Sequence, residues 1–193
     1  SYKVDPIPFN YDTTSGKKQY FFTPDSSMSL YGFYIYGIWD KTSAAIPIGF
    51  DFCFFNNVYS NFYINTNGWI GFSPGQYAQD PLVPIPNGGP MSPKNCIMGP
   101  WISIQMDNAW NYVRYATYGT APNRRLVVDY EWNLVYHPKG PKVPCSAHQE
   151  TWVHNEIIIY ESTNIIENHI DSLTSGNDHA NGGMCHDIPG IDR

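Results

Sequence analysis

This 193-residue sequence has no run of like charge, no apolar stretch near the roughly 20 residues that a bilayer-crossing helix needs, and no basic and apolar leader at Ser1. Any signal peptide has then been removed or lies outside the stretch. With a formal charge of −6 spread along the chain, the electrostatic footprint of a nucleic-acid binder is missing, as is any attraction to an anionic membrane surface. Charged residues are scarce at 15%, which disfavours both a helical bundle and a solvated disordered chain. No Asn-x-Ser/Thr sequon occurs, so nothing supports N-glycosylation. Catalytic signatures are absent too. There is no GxSxG elbow and no cysteine beside a suitable base, and Gly88-Gly89 lies among prolines without opening a helix, so no phosphate loop is formed. No fixed-period repeat suggests a solenoid or propeller.

What the sequence does have is aromatics, 15 Tyr, 10 Phe and 6 Trp, together with 16 Gly and 16 Pro as turn formers, a mixture that suits short strands joined by many turns. The most informative stretch is Phe62–Ser73, FYINTNGWIGFS, where apolar and polar residues alternate on both sides of Asn67-Gly68. Asn-Gly tolerates the two positive φ angles of a type I′ turn, so the segment predicts a β-hairpin. Further strands are expected at 30–39, 46–55, 96–106, 112–118, 125–132, 151–160 and 165–173. Six prolines between Ser73 and Lys94 predict a long surface loop, and HPKGPKVPC from His137 predicts a second. The polar, turn-rich stretch 1–25 is expected to place a strand or two over the outside. The fold class is therefore all-β, an antiparallel β-sandwich of jelly-roll type with long Pro/Gly-rich loops. One domain over 1–193 is the economical count, removing roughly 70% of the unfolded chain's surface from water. The ending NGGMCHDIPGIDR reads as a cut, with more strands belonging to a larger protein.

Cys53, Cys96, Cys145 and Cys185 are even in number, widely spaced and without a CxxC pair, which favours two disulfides over a zinc site. Three connectivities are open, and four reduced, buried thiols are the alternative. The favoured pairing is Cys53 with Cys96 and Cys145 with Cys185. Each bridge would close a loop of about 40 residues and stabilise by roughly 4 kcal/mol in the chain-entropy account.

Few residues carry candidate chemistry. Glu161 and Glu167 flank a turn and could be imagined as a glycosidase pair, although edge charges in a hairpin are the simpler reading. Asp178, His179, Cys185, His186 and Asp187 are rich in metal-capable groups but lack a second ligand pair. Asp107 and Asn108, with Asn111, would offer oxygens to calcium, against the simpler reading of an Asx turn. No cofactor is expected, calcium being the one ion these residues would suit. Trp110, Tyr112, Tyr77 and Tyr136 fall at loops or strand ends, where a flat ring could stack on a sugar or anchor a protein contact, against the alternative of a place in the core.

Four segments, in order, resemble the repeated surface domains of large adhesins of gliding Bacteroidetes, the kind exported by type IX secretion and associated with gliding motility. They are IPIGFDFCFFNNVYSNFYINTNGWIGFS from Ile46, PKNCIMGPW at Pro93–Trp101, VRYATYGTAPNRRLVVDY at Val113–Tyr130 and IIIYESTNIIENHI at Ile157–Ile170. A more distant similarity is to the nidogen-type extracellular domain, which shares the NG hairpin, a PW segment and a YR strand. The adhesin pattern often has cysteines where Asn61 and Asn123 stand here, which leaves Cys53 and Cys96 to pair together or stay reduced. Cys145 matches a family position and Cys185 does so approximately. The resemblance implies a non-catalytic module, located outside the cell at its surface, that contacts a surface glycan or protein or a neighbouring module of the same polypeptide, with no nucleic acid and no membrane insertion. The alternative is a secreted carbohydrate-binding module or glycan-active enzyme.

Overall fold

The structure is a computed structural model that describes residues 3–20, 41–74, 93–102, 104, 113–134 and 150–176. Nine strands are present and no helix among these residues: β1 (Lys18–Tyr20), β2 (Ile46–Phe54), β3 (Asn57–Asn65), β4 (Trp69–Gly71), β5 (Cys96–Met98), β6 (Val113–Tyr118), β7 (Arg125–Leu134), β8 (Glu150–Tyr160) and β9 (Ile166–Gly176). They form a four-stranded sheet in the order β2-β3-β4-β5 and a five-stranded sheet in the order β1-β6-β7-β8-β9, with antiparallel pairing throughout.

The antiparallel sandwich read from the sequence is what the chain forms. Its connectivity departs from a jelly roll. Strands β2 to β5 and β6 to β9 each run in sequence order as a meander, and only β1 crosses to the edge of the other sheet. The Greek-key return that defines a jelly roll does not occur among the described strands.

Alternation explains which side of each strand is inside. In β2, Ile46, Ile48, Phe50, Phe52 and Phe54 are buried while Pro47, Gly49 and Asp51 face out. They meet Phe62 and Ile64 of β3, Ile70 of β4, Leu126, Val128 and Tyr130 of β7 and Val153, Ile157 and Ile159 of β8 in one core. At about 1.5–3 kcal/mol for each fully buried large side chain, this interior dominates the favourable side of folding. Direct contacts also tie the sheets together, among them Phe62 meeting Tyr115 edge to face and Thr117 donating to the Ile48 carbonyl at 2.5 Å.

The hairpin at the NG dipeptide is present, but its turn differs from expectation. Asn65 pairs with Trp69, leaving three loop residues, and of these only Gly68 has a positive φ, 75°. That is the pattern of a type I turn closed by a left-handed glycine. The turn is also buried, because neighbours from distant sequence, Ile104 with its N–H on the Thr66 carbonyl among them, clamp it. Lys41 exchanges hydrogen bonds with Thr66, Gly99 donates to the Gly68 carbonyl, and the Tyr130 hydroxyl donates toward the carbonyls of Asn65 (3.0 Å) and Trp69 (2.7 Å). The TNG motif is thus a structural fastening of the sandwich end.

The Cys53–Cys96 bridge is corrected. Neither residue is in a disulfide. Cys53 lies on β2 and Cys96 on β5, the two opposite edges of the four-stranded sheet, at different levels along the strands. Three strand spacings plus that offset separate them by something on the order of 20 Å, whereas a disulfide needs Cα atoms within about 7 Å. Cys145 and Cys185 lie outside the described residues.

Candidate functional site

Among the described residues, the densest polar chemistry lies on the outer face of the five-stranded sheet. β7 reads RLVVDYEWNL and β8 reads ETWVHNEIIIY, so Asp129 follows the apolar run Leu126–Val128 and His154 and Glu156 lie just before the apolar run Ile157–Ile159. The register places Arg114, Asp129, Glu156 and His169 in one row across β6 to β9. Asp129 and Glu156 are direct cross-strand neighbours, an unfavourable arrangement for like charges unless something stands between them.

Lys17 stands there. Its ammonium lies 3.1 Å from Asp129 Oδ2 and 3.1 Å from Glu156 Oε1, donates to the Asp12 carbonyl at 2.7 Å, and sits 4.7 Å from the centre of the Tyr11 ring. All three charged side chains are almost fully buried, with exposures of 6% for Lys17, 2% for Asp129 and none for Glu156. Residues 9–17 form a strap that crosses the face before the chain enters β1. The Asp12 N–H donates to Glu156 Oε2 at 2.9 Å and the Asn10 N–H to His169 Nδ1 at 3.4 Å. Arg125 holds the Asp12 carboxylate at 2.8 Å, and the Tyr118 hydroxyl donates to the Thr14 carbonyl at 2.9 Å. Tyr11 packs on His154 with 4.3 Å between ring centres.

The electrostatics follow from these contacts. Burial pushes the Asp129 carboxyl up, but the neighbouring His154 ring, with Nε2 3.7 Å from Oδ1, the Tyr11 hydroxyl and the Lys17 ammonium outweigh it and hold the group below its ordinary value. For Glu156 burial wins. Its pKa is raised despite the Asp12 N–H and Lys17, so it takes up a proton before Asp129 as pH falls. Burial pulls His154 down, yet Asp129 and Asp171 more than compensate and its pKa is raised. Desolvation of Lys17 is likewise outweighed by its two carboxylates.

Of the sequence-based candidates, only Glu161 and Glu167 are among the described residues apart from Cys53 and Cys96. Asp107, Asn108, Trp110, Tyr112, Tyr77 and Tyr136 lie outside the described residues, as does the set from Asp178 to Asp187. Among the described residues no group of His, Cys, Asp and Glu is arranged to hold a metal. Glu161 is bound by Arg124, with Oε1 at 2.5 Å and Oε2 at 2.8 Å from the guanidinium, and Glu167 accepts from Tyr160 at 2.9 Å and lies 3.2 Å from His169. Both carboxylates are therefore already engaged by neighbours within the fold. Lys17, Asp129, His154, Glu156 and His169 did not stand out from spacing. For Asp129 and Glu156 the signal was available as charge beside apolar runs of β7 and β8, which requires a partner.

A model of the family described as NIDO related matches residues 10–188, a range that begins within the strap and runs past β9. It bears out the distant nidogen-type likeness and does not address the gliding Bacteroidetes context. No curated protein and no solved structure gives a significant match.

Proposed function

The chain belongs to the NIDO-related family, and on that premise we propose that it is a non-catalytic extracellular module of a large cell-surface adhesin, exported by type IX secretion and serving adhesion or gliding motility in a Bacteroidetes cell. The observation that carries this reading is the family match over 10–188, on a chain whose segments follow the order seen in gliding adhesins. The module would contact a surface glycan, a surface protein or a neighbouring module without a cofactor, calcium at Asp107 and Asn108 being the one ion considered. The engagement of Glu161 by Arg124 and of Glu167 by Tyr160 supports structural roles for both carboxylates. Many weak contacts on one polypeptide would raise the effective concentration of each.

Protease treatment of intact producing cells tests the location, and incubation of the Glu161→Gln/Glu167→Gln variant with surface glycans tests the chemistry. The expected result is cleavage of the protein from the outside and unchanged glycan retention by the variant. Protection in intact cells would overturn the location. Glycan turnover by the wild type that the variant loses would replace the adhesin with the glycan-active enzyme.

A further inference from the structure

We propose that the outer face of the five-stranded sheet is a docking site for an extended, lysine-bearing peptide segment, occupied here by the chain's own residues 10–17 and open in trans to the same segment of a second copy. The inference stands independently of the adhesion reading.

Three observations carry it. First, the segment is held as a bound peptide is held. Side chains of the sheet accept its backbone amides, Glu156 from Asp12 and His169 from Asn10, and Tyr118 donates to its carbonyl at Thr14. These contacts do not depend on the identity of the segment's side chains. Specificity comes from two charged positions, Lys17 between Asp129 and Glu156, and Asp12 against Arg125 at 2.8 Å. Second, the charges of the segment and the face are complementary. Without a cation at the Lys17 position, two carboxylates that face each other across β7 and β8 would be buried with only the His154 ring, 3.7 Å from Asp129, to offset them, so the face suits an ammonium. Third, no residue of 10–17 belongs to the hydrophobic core, which is assembled from residues 46 onward. The apolar frame beneath the site is therefore assembled without its occupant. The tether supplies the occupant at an effective concentration on the order of millimolar, so a second copy competes only when the cis segment is displaced or when many copies are held side by side.

The test replaces residues 10–17 of the full chain by an alternating Gly-Ser stretch of the same length and titrates it with a fluorescent peptide of residues 8–20. We expect saturable binding, weakened at least tenfold when the peptide carries Lys17→Ala or the protein carries Glu156→Gln. Wild type, its site filled in cis, should bind the peptide at least tenfold more weakly than the replaced chain. Absence of binding at millimolar peptide by a replaced chain with native circular dichroism overturns the proposal. Should the replaced chain not fold alone, it is refolded with the peptide present. Recovery of the native spectrum with the wild-type peptide and not with the Lys17→Ala peptide supports the proposal, and failure with both overturns it.

Discussion

Removing the Lys17 ammonium should be among the most damaging single changes outside the core. In Lys17→Ala, Asp129 and Glu156 remain side by side on β7 and β8 with almost no access to water, and apart from the His154 ring 3.7 Å from Asp129 the pair loses its cation. Breaking a buried ion pair from one side costs about 3–5 kcal/mol, most of it the burden of the stranded charges. For a chain of this size each kcal/mol moves Tm by about 2–4 °C, so a fall of roughly 6–20 °C is expected by differential scanning calorimetry. If the strap lifts and lets water reach the carboxylates, the loss sits at the lower end. The deficit should also depend on pH with a definite sign. Glu156 already has a raised pKa in the fold, and losing Lys17 raises it further. The folded state then binds the proton more tightly than the unfolded chain. Below the ordinary value of 4.5 the deficit shrinks, and it grows as pH rises through the folded pKa. Neutralising all three positions together, as Lys17→Met, Asp129→Asn and Glu156→Gln, should recover much of the loss, showing strong non-additivity. A Lys17→Ala protein within about 0.5 kcal/mol of wild type, as ordinary surface substitutions are, with no pH dependence in the difference, would refute the reasoning.

Other consequences follow. Tyr130→Phe removes a buried hydroxyl aimed at two carbonyls of the NG hairpin and should cost about 1–3 kcal/mol by urea unfolding, with little change in the m-value. Gly71→Ala would place a methyl group 2.8 Å from the Trp69 ring, so a loss of about 1–3 kcal/mol and a shift in tryptophan emission are expected. His154 has a raised pKa, so its pairing with Asp129 and Asp171 contributes stability fully below the ordinary 6.5 and loses it as pH climbs through the folded value; His154→Gln should flatten that limb of the stability profile. Cys96, whose thiol burial pushes up to about 11, should react slowly with an alkylating reagent at pH 8 in the fold, and both Cys53 and Cys96 should alkylate in denaturant without reductant; mass spectrometry of peptides reads both outcomes.

The sandwich was legible because period-two burial is a strong constraint. FDFCF and YINTNGWIG could only place Phe50, Phe52, Phe54, Ile64 and Ile70 inside, and the predicted strand limits at 46–55, 125–132 and 151–160 lie within a few residues of those observed. The turn at Gly68 was harder to read, since clamping neighbours from distant sequence, Lys41, Gly99, Ile104 and Tyr130, stabilise a three-residue loop that local propensity alone does not choose. The Cys53–Cys96 pairing failed because loop length says nothing about which sheet edge each strand takes. The charged face was hidden for a related reason. Lys17 is separated from Asp129 and Glu156 by more than a hundred residues, and only the crossing of the strap brings them together. Asp129 and Glu156 beside the apolar runs of β7 and β8 did signal that a cation had to arrive from somewhere.

The most direct test of the adhesin reading is retention on the target surface as a function of valency. Beads carrying increasing densities of the module are passed over a surface coated with glycans or with cell envelopes of the producing organism, and retention and released sugar are measured together. The account predicts retention that rises far more steeply than density, without any released product. Retention that is merely proportional to density, or the release of sugar from the surface, would contradict it.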